Sequence, residues 1–403
     1  MMEIPIYQGP DVFNSLISEF KPYFKSYRGF NQFKKIANAM IVSDSRSIAH
    51  LNGINIDHTN QSNLNRFIRS NYDENGMFKK LCEIVNRIEE DTILAIDDTI
   101  IEKSGKNIEG ADWFYDHSKG KNVWGIQAVT TVASGEKGIY PLIWQQYIRK
   151  GKAENFKSKI DMQKEAIEKC IEAGLNFSAV AMDSWYFENN LVKFIESKGK
   201  AWVAECKNNR LVLYNDKWIK ITELIKGTKV REMASYKING KIYQVKQYIL
   251  DMKGLGKVNI VISLGINCTK ILVTNNLSWL PKKVIEIYLR RWDIEVNHRE
   301  MKGNGLKKAW LKERCGITSY MMLNALVQTI LEISTIISLS STHFEFRSVT
   351  PEVRYRWVVI DVVMNLIKGF KNLGTVLLER IINSIANPYK STMVMKMCKI
   401  AKL

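Results

Sequence analysis

Two short apolar runs, each ending on aspartate, constrain this chain more than any other feature. Thr92-Ile-Leu-Ala-Ile96 delivers Asp97 and Asp98, and Phe177-Ser-Ala-Val-Ala-Met182 delivers Asp183. Runs of five or six such residues predict buried strands. Two of them carrying carboxylates at their C-terminal tips require a core that hides the strands and leaves the tips open. With 403 residues the chain can build one.

A third acid lies on a predicted helix, Tyr288-Leu-Arg-Arg291-Trp-Asp-Ile-Glu295 through Lys302. At 100° per residue, Tyr288, Arg291, Glu295 and Lys302 fall within roughly 60° of one another. An apolar stripe of Ile285, Leu289, Trp292 and Val296 runs beside them and is expected to press on the core. One carboxylate among three groups that favour phosphate points to work on a phosphate chain. Arg suits bidentate phosphate binding, Lys a point charge and Tyr a hydrogen bond.

The spacing of Tyr288, Arg291, Glu295 and Lys302 resembles the last motif of IS4-like transposases of the DDE type, encoded by bacterial and archaeal insertion sequences. The resemblance extends to Ile96-Asp97-Asp98-Thr99, to Asp183-Ser-Trp-Tyr186 and to Gly303 and Gly305-Leu306, and so covers roughly residues 90 to 310. It implies an α/β fold with a ribonuclease H-like core interrupted by a β-strand insertion. It also implies that an aspartate of the first strand, Asp183 and Glu295 hold two divalent ions. Hard carboxylate oxygens suit Mg²⁺, with Mn²⁺ as a substitute, and two such ions about 4 Å apart can activate a nucleophile and neutralise a leaving oxygen. Neighbours in a strand face opposite sides, so only one of Asp97 and Asp98 can point into a shared site; both stay candidates.

Along the chain, residues 1–88 read as a helical N-terminal DNA-binding region. Three short helices are expected at 33–40, 45–51 and 61–70, with Ser43 or Asp44 and then Thr59 or Asn60 as caps. Gln61, Asn63, Asn65, Arg66 and Arg69 would face a groove if the last two helices form a helix-turn-helix. Residues 89–206 read as the first part of the core, with strands at 92–96, 123–133, 139–144, 177–182 and 201–205 and helices at 158–173 and 187–198. Residues 207–270 form the β-rich insertion, with strands at 229–233, 236–238, 241–250 and 258–264 and Asn239-Gly240 as a hairpin turn. Residues 271–315 complete the core with the glutamate helix, and 316–403 form a helical, basic C-terminal region.

An excess of 59 Lys and Arg over 41 Asp and Glu, a formal charge of +18, favours a polyanionic partner. The resemblance implies that the partners are double-stranded DNA, as terminal inverted repeats and as target, and a second copy of the chain. Six scattered cysteines form no Cys-x-x-Cys pair and fit a reducing cytosol. The first residues lack the pattern of a secretory signal, and Ile317–Leu339 carries Asn324, Gln328 and Glu332, which favours a core helix over a membrane span. The reading is of a cytoplasmic, nucleoid-associated prokaryotic enzyme. Trp202, Trp218, Trp279 and Trp292 are candidates for core or for the base-stacking platform that the resemblance implies, His117 for a DNA contact or a loop hydrogen bond, and His298 has no Cys or His partner at metal-ligand spacing, so neither histidine is assigned to a metal. A nuclease without strand transfer and a DNA-binding relic without catalysis are the alternatives.

Overall fold

A computed structural model describes residues 11–42, 47–54, 60–70, 72–152, 155–264, 269–303, 306–308 and 311–339. The caps at Ser43, Asp44 and Thr59, together with Cys268, Gly305, Cys398 and the basic run 396–402, lie outside them.

Five helices come first: α1 (Asp11–Ser18), α2 (Tyr27–Val42), α3 (Ile48–Ile54), α4 (Gln61–Ile68) and α5 (Glu74–Ile88). Short polar side chains start two of them. Asn60 Oδ1 accepts from Ser62 N at 2.9 Å and Asp73 Oδ1 from Gly76 N at 2.9 Å, each satisfying an amide that the first turn leaves unpaired. Between the helices a cluster of rings from Phe24, Phe33, Phe67 and Tyr72 stacks and tilts at 5.1 to 6.1 Å.

The chain then enters β1 (Thr92–Glu102), β2 (Asp112–Asp116), β3 (Lys121–Ser134) and β4 (Ile139–Tyr147). β1 and β3 pair antiparallel over their length, while β4 and β2 share the far edge of β3. Helix α6 (Lys159–Glu172) is capped by Ser158 and stops at Gly174, whose φ of +73° suits glycine. It leads into β5 (Phe177–Met182), α7 (Asn189–Ser197) and β6 (Ala201–Glu205). β5 lies parallel to β1, and β6 parallel to β5. Helical crossovers are what parallel neighbours require.

Next come β7 (Leu211–Tyr214), β8 (Lys217–Lys220), α8 (Ile221–Gly227), β9 (Ala234–Ile238), β10 (Lys241–Met252), β11 (Gly256–Leu264) and β12 (Thr269–Thr274). They continue the same sheet in the order β6-β12-β11-β10-β7-β8, so the β-rich segment extends the central sheet. Asn239 and Gly240 form the tight turn between β9 and β10 with φ of +48° and +76°. The strand expected at 229–233 is a 3₁₀ turn at Val230–Glu232, with Val230 exposed. Its two apolar residues, Val230 and Met233, are spaced by three instead of alternating.

The last described elements are α9 (Pro281–Arg290), α10 (Trp292–Gly303) and α11 (Arg314–Leu339). The single helix expected across 285–302 is thus two, because bonds spanning three residues, Arg291 N to Tyr288 O and Ile294 N to Arg291 O, tighten the chain at Arg291. That tightening changes the face that α10 buries. Ile294, Asn297, His298 and Met301 point inward, and Trp292, expected in the core stripe, is 58 % exposed. Helix α11 is long and apolar enough to cross a membrane over Arg314–Ile337, but 78 % of its apolar window is buried within the fold. It packs against β4, where Thr329 Oγ1 donates to Pro141 O at 2.7 Å, and against α1 and α5.

β1 and β3 approach so closely that a side chain at Gly125 has no room: its Cβ would stand 2.4 Å from the backbone oxygen of Ile101. Gly125→Ala is therefore expected to lower stability by about 2 kcal/mol or more in chemical denaturation, whereas alanine at Gly227, which has open space around it, leaves it nearly unchanged.

Candidate active site

The parallel register of β1 with β5 builds the site. Ala95 pairs with Ala181, so two residues further on Asp97 stands beside Asp183 just where β5 ends. β1 itself continues to Glu102, which places Asp97 and Asp98 in mid-strand and not at a tip as the sequence suggested. Burial and the neighbouring Asp183 push the Asp97 carboxyl up to about 8. Burial raises Asp183 as well, against the pull of the Tyr186 and Trp185 amides, which donate to its Oδ1 at 3.0 and 2.9 Å.

Arg291 faces this pair. Its Nη1 lies 3.7 Å from Asp97 Oδ2 and 3.4 Å from Glu295 Oε1, one helical turn on. Burial works against its charge, but Tyr288, Asp97, Glu295 and Asp183 together outweigh it and raise its pKa. Arg291 Nε is buried without a hydrogen-bond partner among the described residues. The Glu295 side chain is 41 % exposed, against 18 % for Asp97. Asp97, Asp183, Arg291 and Glu295 are thus one constellation.

Asp98 points the other way into a complete set of donors. Lys159 Nζ lies 2.9 Å from its Oδ2, Gln127 Nε2 donates to the same atom at 2.6 Å, and the Tyr186 hydroxyl donates to Oδ1 at 3.0 Å. Lys159 also lies over the half-exposed ring of Trp185, 4.9 Å from its centre. Gln163, fully buried, donates to the backbone oxygens of Asp97 and Thr130 and locks β1 to β3 behind the acids. Sequence reasoning missed Lys159, Gln127 and Gln163; Lys159 carried one usable signal, its place directly after the Ser158 cap.

The other expected groups have definite places. Tyr288 donates to Glu205 Oε2 at 2.5 Å, and Lys270 holds both Glu205 oxygens at 2.7 Å. Tyr288, whose ring also lies 5.7 Å from the Arg291 guanidinium, is therefore tied into a protein network and not turned outward. Lys302 donates to Thr99 Oγ1, with its pKa lowered by burial and then by Lys307. Arg66 lies exposed on α4, bonded to Asn63 Oδ1, and Arg69 pairs with Glu313 at 3.2 Å. Both line a cavity of about 750 Å³ between α3, α4 and the segment before α11. His298 is a core residue: it shares a hydrogen bond with Thr130 Oγ1 at 2.8 Å, and burial pushes its pKa down to about 3. Trp202 is fully buried, while Trp218 is half exposed.

Among the described residues no three Asp, Glu, His or Cys side chains are close enough to enclose a metal ion. The donor chemistry nevertheless fits a divalent cation, because Asp97 and Asp183 are neighbouring hard-oxygen donors whose ionised forms are disfavoured without a counter-charge, which a cation between them would supply.

A family model described as an archaeal putative transposase, ISC1217, matches residues 52–342, well over half of the chain. The chain belongs to this transposase family. No curated protein matches it. Family membership makes DNA the partner and DNA cleavage the chemistry, and all four residues of the constellation fall inside the matched span of this transposase.

Because the folded transposase favours the protonated form of Asp97, that residue's contribution to stability is present below its unfolded value near 4 and is lost as pH rises through about 8. Metal-free protein is expected to lose denaturant resistance across that window, and Asp97→Asn to flatten the loss; equal slopes in the two proteins would contradict the placement.

Proposed function

We propose that this transposase is of the IS4-like type, binding terminal inverted repeats and moving its element by metal-dependent cleavage and strand transfer on a ribonuclease H-like core. The observation that carries the reading is the convergence of Asp97 and Asp183 at the end of a parallel strand pair, with Arg291 and Glu295 facing them. The order β4-β3-β1-β5-β6, an antiparallel meander joined to two parallel strands with helical crossovers, supports the core assignment.

Asp97, Asp183 and Glu295 are the residues that would hold Mg²⁺ or Mn²⁺, and two such ions supply charge neutralisation at the attacking and leaving oxygens. Asp98 serves as a positioning residue: held by Lys159, Gln127 and Tyr186, it fixes the strand that presents Asp97. Arg291 binds a non-bridging phosphate oxygen with its planar fork. Tyr288 keeps that guanidinium in place through Glu205. Lys302 adds positive charge beside the path of the strand. The helical region with Arg66 and Arg69 contacts DNA away from the cut, the β-rich segment from 207 to 270 helps hold the transposon end, and a homodimer brings two ends together.

The reading is tested with a labelled duplex that carries the element's terminal repeat. Wild type is expected to give nicked and joined products with Mg²⁺. Asp97→Asn, Asp183→Asn and Glu295→Gln lose both products, while Asp98→Asn loses about 10- to 100-fold, as for a group that orients a ligand. Cleavage without joining would favour a nuclease, and tight binding without either product a DNA-binding relic.

A further inference from the structure

Beyond Asp97, β1 and α10 run side by side like two rails. Glu295 lies across Arg291 from Asp97, Lys302 bonds Thr99, and Lys103 Nζ donates to the backbone oxygens of Leu306 and Lys307 at 3.1 and 3.2 Å, just past the end of α10. Asp97, Thr99 and Lys103 share one face of the strand by alternation. The rails end at a cavity of about 300 Å³ lined by Lys103, Lys106, Lys307 and Lys312, by the other residues of 104–108 and by Leu311. Among the described residues no carboxylate lines it. The nearby Glu102 is taken up by Lys119, and the Glu109 carboxylate accepts from the Arg314 amide. The cavity has room for about ten waters, and four lysines bordering so small a volume concentrate positive charge that favours an anion there. Lys103, drawn down to about 8 by burial, is the group that such an anion would restore to full charge.

We infer that this lysine-lined cavity is a second phosphate site, which grips the DNA backbone at a fixed distance from the phosphate being cut. The inference rests on the transposase reading above. Six residues of strand separate Asp97 from Lys103, about 20 Å. At 3.4 Å per base pair along a duplex this is about six base pairs. A backbone held at both points has its register set by protein geometry, and the site acts on position without reading bases.

The test measures binding of a 30-base-pair duplex, without divalent ions, as salt is raised. It compares wild type with Lys106→Gln/Lys312→Gln, both exposed lysines, and with Lys79→Gln/Lys193→Gln, an equal loss of charge from α5 and α7. The cavity pair is expected to lower the slope of log K against log salt by about 1 to 2, and the distant pair to leave it unchanged. A single methylphosphonate placed about six base pairs from the cut should weaken wild type and leave the cavity pair unaffected. Equal slopes in all three proteins, with cleavage intact, would overturn the cavity and spare the transposase reading; wild type that neither binds nor cuts duplex would overturn both. Lys106→Glu, stronger in charge and equally exposed, must lower affinity further, and unchanged affinity there also counts against the site.

Discussion

Everything in this fold turns on one pair of parallel strands. Where β5 stops against β1, Asp97 and Asp183 are left side by side in a place that strips them of water. Two carboxylates so placed resist ionising together, and a protein gains no stability from such a contact. The surroundings hold it nonetheless. Gln163 ties β1 to β3 from behind, Gly125 lets those strands approach, and the Asp183 carboxylate is fixed by two backbone amides of the turn that follows β5. A destabilising pair kept by so many supports is what the proposed catalytic role asks of this place in the fold.

Positive charge then decides what the pair can do. Arg291 reaches Asp97 and Glu295 from the junction of two helices, and its position is set by the Tyr288–Glu205–Lys270 chain on one side. Lys159 performs the matching task for Asp98. The two adjacent aspartates therefore have separate partners and separate work: one meets Asp183 and Arg291, the other fastens the strand. The same strand continues toward a lysine-lined cavity, so the acidic centre is followed by basic groups along a single line.

Much of this was legible in the amino-acid order. Apolar runs ending on Asp97 and Asp183 announce strands because burial on both faces leaves no alternation, Asn239-Gly240 announces a turn because both residues tolerate positive φ, and Ser158 announces a helix because its oxygen satisfies a free amide. The division of labour between Asp97 and Asp98 was not legible. It depends on β5 ending when it does and on Gln127 and Tyr186, which lie 29 and 88 residues away from Asp98. Nor was the exposure of Trp292, because a local tightening of the backbone at Arg291 rotates every later residue of α10 and leaves no trace in the apolar spacing. Lys159 closes a basic run, Lys150 to Lys159, that sequence alone does not tell from a solvated face, and only the packing of α6 on β3 brings it to Asp98.

In the proposed mechanism Asp97, and not Asp98, joins Asp183 in holding the cation. Mn²⁺ binding followed by electron paramagnetic resonance, on wild type and on each single Asp→Asn variant, tests it most directly. The account predicts that Asp97→Asn and Asp183→Asn abolish binding while Asp98→Asn retains it with reduced affinity. Retention in Asp97→Asn together with loss in Asp98→Asn would contradict it.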